Sequence, residues 1–476
     1  MVFSSPTFLF AFLPLVLLAT WATPARFRRF VLLAASAVFY AWGVQGVLLL
    51  VWASALVDWG IGLGIARARR TEDTRMANGL LVLGVVQNLA ILGYFKYLNF
   101  GIHQLDRVLQ HTVGTHGPSV ASIVLPIGVS FFTFEKISYV VDVWRGDVEA
   151  RRDPSDILLF VSLFPRSIAG PIVRLREIQN DLHEPRPRVE EVSEGAVRFA
   201  HGLAKKVLIA DQLSPIADAA FAAAPSGQLT TSAAWIGALA YTLQLYYDFS
   251  GYSDMAIGIG KMLGFHLPEN FDRPYSSKSV TEFWRRWHMT LSRWFRDYVY
   301  ISLGGNRGGH TYRNLIIVFA LTGLWHGAAF TFVLWGLYHG VWLLIERRFD
   351  LRALGDDVTL PWLRRATTLL IVLIGWVLFR AGTFGVARHY YHAMIVPTGG
   401  LTQTVHDALT NQALIVLLVA AVILVLPGRR SGGRWLTEAV GAVPATARVA
   451  VLGVAAPLAL AYVLSTGFHP FLYFQF

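Results

Sequence analysis

The chain contains no cysteine. That excludes disulfides, a thiol nucleophile, a cysteine-held metal and thiol lipidation. Charge is scarce too: Asp, Glu, Lys and Arg make up 15% of 476 residues, against 54% hydrophobic. With a mean hydropathy of +0.48, this is the composition of an all-α, polytopic membrane protein. No polar stretch is long enough for a soluble domain, and neither internal repeats nor low-complexity tracts are visible. We read residues 1–476 as one integral-membrane domain. A cationic leader is also missing: no Lys or Arg precedes the apolar run Thr7–Ala22, so that run is expected to be a span, not a signal peptide. The net charge of +11 would suggest nucleic acid in a soluble protein. Here the basic residues sit in short loops between apolar runs, the positive-inside pattern, and no nucleic-acid partner is expected.

What is present is a succession of apolar runs. Phe30–Trp42, Leu48–Ile65 and Leu80–Tyr97 follow the first, with Arg26–Arg29 and Arg67–Arg75 marking inner loops. The segment Asn99–Ser119 reads as an outer loop; its His103, His111 and His116 lack a tight ligand spacing, so no metal is expected. Ile123–Val143 reads as a span carrying Glu135 and Lys136. Neighbours in sequence do not face each other on a helix, so each needs its own partner elsewhere in the bundle. Asp156–Val173, short and broken by Pro165 and Pro171, reads as re-entrant or interfacial, and Arg174–Lys206 as cytoplasmic. Further runs begin near Val207, Ser232, Leu315, Phe332, Thr367, Leu414 and Val449, for about eleven or twelve crossings of a ~30 Å core. That count puts the C-terminus outside.

One stretch concentrates the chemistry. Ser279 and Glu282 have capping-box spacing, predicting a helix over Ser279–Tyr300. At 100° per residue Trp284, Trp287, Leu291, Trp294, Phe295 and Tyr298 share one side, and Arg285, Arg286, Arg293 and Arg296 the other. Such a helix is expected in the cytoplasmic interface, its rings in the acyl boundary. His288 lies at the edge of the apolar stripe. After the loop Gly304–Gly309 comes the uncharged run Leu315–Leu334, with His326 between Gly323 and Gly327. An ionisable group there is a functional candidate, because burial without a partner is costly; the alternative is a neutral histidine bridging two helices. For His339, the bridging alternative is favoured. Asp248 and Asp254, in YYDFSGYSDM, read either as a proton relay or cation site, or as ion-pair partners for Arg285, Arg286 or Arg293, the last being the usual fate of near-membrane acids.

The segments WRRWHMTLSRWFRDYVYISLGGNRGG and LTGLWHG resemble the membrane-bound O-acyltransferase (MBOAT) family, especially its bacterial branch typified by the alginate O-acetylation protein. LPIGVSFFTFEKISYVVDVWRG, LFPRSIAGPIVR, YYDFSGYSDMAIGIGKMLGF and PFLYFQF extend the resemblance over nearly the whole chain. It implies the MBOAT fold, with His326 as the catalytic histidine and His288 as its partner. It further implies acetyl transfer from a thioester donor such as acetyl-CoA to an exported polysaccharide, with no tightly bound cofactor. Delivery would pass through a separate extracytoplasmic acetyltransferase of the SGNH (AlgJ- or AlgX-like) kind. Location is expected in the bacterial inner membrane, among its lipids. Trp287, Trp325, Asn306, Arg307, Asp248 and Asp254 are the candidate substrate-binding residues. In Gly304–Gly309, backbone N–H groups and Arg307 could hold donor phosphates, or the segment is a plain interhelix turn. Neutral imidazole suits removal of a hydroxyl proton during attack on a thioester. His288 could polarise the carbonyl or act as a second base. Peptidoglycan or another envelope glycan is the alternative acceptor. A proton-coupled transporter using His326, Asp248 and Asp254 is the alternative from another class.

Overall fold

A computed structural model describes residues 1–42, 45–115, 117, 123–126, 128–351, 360–425, 450–466 and 471. Every regular element among them is helical. Three stretches, Gly46–Arg70, Thr74–Thr112 and Pro361–Arg380, are long and apolar enough to cross a bilayer. Many of their large side chains face outward, as do Leu15, Leu18, Leu321, Leu324, Leu418 and Val422. Outward hydrocarbon with inward polar groups is what a bilayer solvent selects. The basic positions Arg352, Arg429, Arg430 and Arg434, His116, and most of PFLYFQF lie outside the described residues.

The chain forms two compact units, Met1–Gly195 with Ile259–Pro268, and Ala196–Gly258 with Glu269–Phe476. The first contains α1 (Leu13–Ala22), α2 (Ala25–Ala41), α3 (Gln45–Arg70), α4 (Thr74–Leu92), α5 (Leu98–Thr112), α6 (Val129–Arg145), α7 (Pro154–Ser162) and α8 (Leu175–His183). Its buried charges are paired, as expected. Lys136 lies 3.6 Å from Asp58, whose carboxylate also accepts from Asn88 at 2.9 Å and Gln87 at 3.0 Å. Glu135 pairs separately with Arg166. The nine-residue α7 is too short to cross, consistent with re-entry.

Two boundaries in this unit differ from the sequence reading. The outer loop expected from Asn99 is helical to Thr112. Ile102, Leu105 and Leu109 repeat at helical spacing there, and the continuous 39 residues reach about 58 Å, well beyond a bilayer core. The span expected from Ile123 becomes helical only at Val129, because Pro126 and the left-handed Gly128 (φ +81°) precede it.

The second unit holds α9 (Val189–Ala204) from Ala196 onward, α10 (Asp211–Ala223), α11 (Thr231–Met262) up to Gly258, α12 (Val280–Arg286), α13 (Met289–Phe295), α14 (Thr311–His326), α15 (Phe330–Arg348), α16 (Pro361–Arg380), α17 (Phe384–Ile395), α18 (Gln403–Ala408), α19 (Asn411–Val425) and α20 (Ala456–Thr466). Here the single interfacial helix over Ser279–Tyr300 is corrected. Ser279 does cap it, accepting from the Glu282 N–H at 3.0 Å. The helix then stops after Arg286 and restarts at Met289, and Arg296–Tyr300 forms a wider π turn. The predicted two faces are real, but the aromatic face is buried in protein instead of lipid. Glu346 of α15 covers the start of α12, accepting from the N–H groups of Val280 (2.6 Å) and Thr281 (2.8 Å), where the helix dipole favours a carboxylate.

The run Leu315–Leu334 is likewise not one span. It turns at Gly327–Ala329, and α14 and α15 form a tight antiparallel hairpin. Gly323 and Gly336 make the approach possible. A Cβ at Gly323 would collide with the Phe332 carbonyl, and one at Gly336 with the Phe319 carbonyl. Gly323→Leu should therefore destabilise by more than the ~1–3 kcal/mol usual for overpacking. Thermal unfolding in detergent should show a clear fall in midpoint; an unchanged midpoint would refute this packing.

Candidate active site

His288 stands between α12 and α13 in the left-handed region, φ 44° and ψ 53°. For a non-glycine residue this costs on the order of 1–3 kcal/mol and persists only when its surroundings impose it. Asn270 imposes it. The Asn270 carbonyl accepts the Met289 N–H at 2.9 Å. Its side-chain Oδ1 accepts the Thr290 N–H at 3.3 Å and the Thr290 hydroxyl at 2.9 Å, and lies 3.1 Å from His288 Nδ1. Asn270 thus caps α13 from a distant loop. The Asp272 N–H donates to the Arg286 carbonyl at 2.9 Å, tying down the end of α12. Burial pushes the His288 imidazole down to about 3, so the ring is neutral. The short helices on either side of it, seven residues each, are too short to span.

His326 ends α14, where Gly327 turns into extended backbone. Its ring is buried against Trp325 (4.9 Å between centroids), Trp335 (5.2 Å) and Phe379 (5.2 Å). Trp325 also lies 6.1 Å from His288. The two histidines therefore flank one indole, although 38 positions separate them in sequence.

The same elements enclose a cavity of about 600 Å³, which neither histidine lines. Its apolar wall includes Trp284, Leu291, Val318 and Phe319, and its cationic wall Arg285, Arg293, Arg296 and Arg347. Met289, next to His288, lines it; so does Thr322, one helical turn before His326 and on the same face. This is the shape for a molecule with an anionic end and a hydrocarbon-like arm.

The other expected binding residues divide. Asn306 lines the cavity, accepting from the Tyr300 hydroxyl at 2.7 Å and from Arg347 at 3.4 Å. Arg307 is exposed on its loop. Trp287 is a core ring, stacked on Phe283 at 5.6 Å and 4.9 Å from Trp376. Asp248 and Asp254 are ion-paired, as the second reading held, but with other partners. Asp248 meets Lys206 at 2.8 Å; Asp254 meets Lys205 and Arg198, each at 2.6 Å. His339 is fully buried between Trp284 (5.0 Å) and Trp335 (5.3 Å), and neither ring nitrogen has a hydrogen-bond partner among the described residues. The bridge expected of it is not made. Sequence reasoning missed Asn270, Glu269, Arg198 and Lys205. They follow no periodicity, and only PENFD, a polar turn between apolar elements, marks the place.

Residues 127–372 match the model of the MBOAT, membrane-bound O-acyltransferase, family. The chain is 45% identical to a probable alginate O-acetylase AlgI of Azotobacter vinelandii over 100% of both chains. It is 48% identical to that of Pseudomonas aeruginosa over 90% of this chain and 82% of the relative. A peptidoglycan O-acetyltransferase of Helicobacter pylori is 36% identical over 80% of this chain and 77% of its own. The chain belongs to the membrane-bound O-acyltransferase family. It is a membrane-bound O-acyltransferase, and this decides against the transporter.

If the histidines do the chemistry, His326→Gln should lower acyl transfer by ~10²–10⁴. His288→Ala should also impair it, and the double variant should be little worse than His326→Gln alone. His339→Leu, which replaces two unpaired nitrogens with hydrocarbon, should keep most activity. Turnover at matched membrane levels tests all four. Near-normal turnover in His326→Gln with loss in His339→Leu would overturn the assignment.

Proposed function

We propose that the chain moves an acetyl group from a cytoplasmic thioester, acetyl-CoA, towards the hydroxyls of an exported polysaccharide. Alginate is the favoured acceptor, from the names of the relatives at 45% and 48% identity. Peptidoglycan is the second reading, carried by the relative at 36%. The observation that supports donor binding most directly is the arginine-walled cavity that Met289 and Thr322 help to line. Arg285, Arg293 and Arg347 suit phosphate oxygens, since guanidinium offers several donors in a fixed plane. The apolar wall suits the pantetheine arm, and leads the thioester towards His288 and His326. Arg347 and Arg348 close α15 at the end that positive-inside asymmetry places in the cytoplasm. The donor therefore enters from inside, and the protein resides in the bacterial inner membrane.

In the reaction, neutral His326 takes the acceptor hydroxyl proton as the oxygen attacks the thioester carbon. The C–O bond forms, the C–S bond breaks, and the same proton leaves with the thiolate. No metal and no tightly bound cofactor take part. No long polar domain is available to hold a polymer, so a separate extracytoplasmic acetyltransferase of the SGNH kind completes delivery.

Two outcomes are expected. Arg285→Ala and Arg347→Ala should each raise KM for acetyl-CoA about tenfold with little change in kcat, as loss of a charged hydrogen bond worth ~1.5 kcal/mol implies. Unchanged KM in both would sink the donor site. Purified protein with acetyl-CoA should leave the polymer unacetylated until the partner is added, and efficient modification by the isolated chain would remove the partner from the scheme.

A further inference from the structure

Asn270 is fully buried and is held from three directions. Its Nδ2 donates to the Ser253 hydroxyl at 3.1 Å. Its neighbour Glu269 is gripped by Arg198 through two hydrogen bonds, 2.9 and 2.7 Å. Arg198 is itself bound to Asp254, which Lys205 also meets. Arg293, on the cavity wall, donates to the Glu269 carbonyl at 3.1 Å.

The identity of the amide oxygen follows from chemistry. The Thr290 backbone N–H can only donate, and it points at Oδ1. The atom 3.1 Å from His288 Nδ1 is therefore an acceptor, and a ring nitrogen facing an acceptor must carry the proton. The neutral ring then has its lone pair on Nε2. That atom is buried and has no hydrogen-bond partner among the described residues. A buried acceptor left unpaired is costly. Here it is aligned by a braced residue, and the next residue in the chain, Met289, lines the cavity.

We propose that Asn270 is a positioning residue that holds His288 in the Nδ1–H form, presenting Nε2 as a proton acceptor. Glu269, Arg198 and Asp254 brace it. The inference rests on the acyl-transfer reading for its catalytic meaning, but the tautomer does not. It decides between the two roles open to His288. A lone pair at Nε2 accepts from a hydroxyl and does not donate to a thioester carbonyl. Nε2 therefore accepts the hydrogen bond of the acceptor hydroxyl and holds its oxygen at the acyl carbon, until His326 takes that proton and passes it to the departing sulfur. The groups facing the ring are Phe249 of α11, Trp325 of α14, and Asn270 with Thr290. The charges of Glu269, Arg198, Asp254 and Lys205 belong to the brace behind Asn270.

The test is ¹⁵N-histidine magnetic resonance of the full-length protein in nanodiscs, with the His288 signal assigned by its loss in His288→Gln, alongside steady-state kinetics. Wild type should show a protonated Nδ1 and an unprotonated Nε2 at His288. Asn270→Ala should mix the tautomers and lower kcat by about 10²-fold, the scale of a misplaced catalytic group, with KM for acetyl-CoA within twofold. Asn270→Asp keeps the acceptor, and the Ser253 hydroxyl can turn to donate to it. Its added negative charge stabilises the imidazolium, so the acid limb of the kcat profile should move to higher pH. A reaction indifferent to the protonation of His288 would not show that displacement. If Asn270→Ala fails to fold, the wild-type spectrum and the Asn270→Asp profile still decide. An unprotonated Nδ1 in wild type, or wild-type kcat and spectrum in Asn270→Ala, would overturn the proposal. The expected spectrum with full acetyl transfer in His288→Gln would overturn the catalytic role and leave the tautomer standing.

Discussion

The second unit depends on one left-handed residue. His288 cannot hold φ 44° without help. Asn270 supplies it, giving α13 the cap its own sequence lacks and fixing the ring that emerges at the break. Once the helix stops at Arg286, its two halves need not share one interface. Trp284 meets Trp335 and His339, while Trp287 turns into the rings of Phe283 and Trp376. A continuous helix would keep these indoles on one stripe. The break converts an apparent membrane-surface element into the wall of a buried site.

Glycine contacts decide which parts can come that close. The α14–α15 hairpin exists because Gly323 and Gly336 leave room for facing carbonyls. This approach brings His326 to Trp335, with Trp325 next to both histidines. The same device operates between α9 and α11, where a Cβ on Gly202 would stand 2.7 Å from the Met255 nitrogen. Backbones in such contact let Arg198 and Lys205 of one element and its extension reach Asp254 of the other. Close packing between small residues is the usual means of helix association where lipid offers no hydrophobic drive.

Buried charge follows a consistent rule. Asp58 with Lys136, Glu135 with Arg166, and Asp254 with Arg198 are all paired, because an isolated charge in a low-dielectric interior is far more costly than a paired one. The expectation that Asp248 and Asp254 would find cations was sound. Arginines near them in sequence were the wrong candidates, because pairing partners are selected by helix packing, not by proximity along the chain. The arginines Arg285, Arg293 and Arg296 line the cavity instead.

Composition and period were enough to determine a helical membrane protein, the Ser279 cap, the two-sided split of Trp and Arg around His288, and the need for partners at Glu135 and Lys136. These are local or additive properties: hydropathy sums over a window, a cap spans three residues, and a buried charge is costly wherever it lies. Only the tertiary structure decided where the Ser279–Tyr300 helix breaks, that Leu315–Leu334 is a hairpin, which cations meet Asp248 and Asp254, and that Asn270 stands behind His288. Each of these depends on a contact between residues distant in sequence, and such a contact can outweigh local helical preference by a few kcal/mol without leaving any period for the sequence to display.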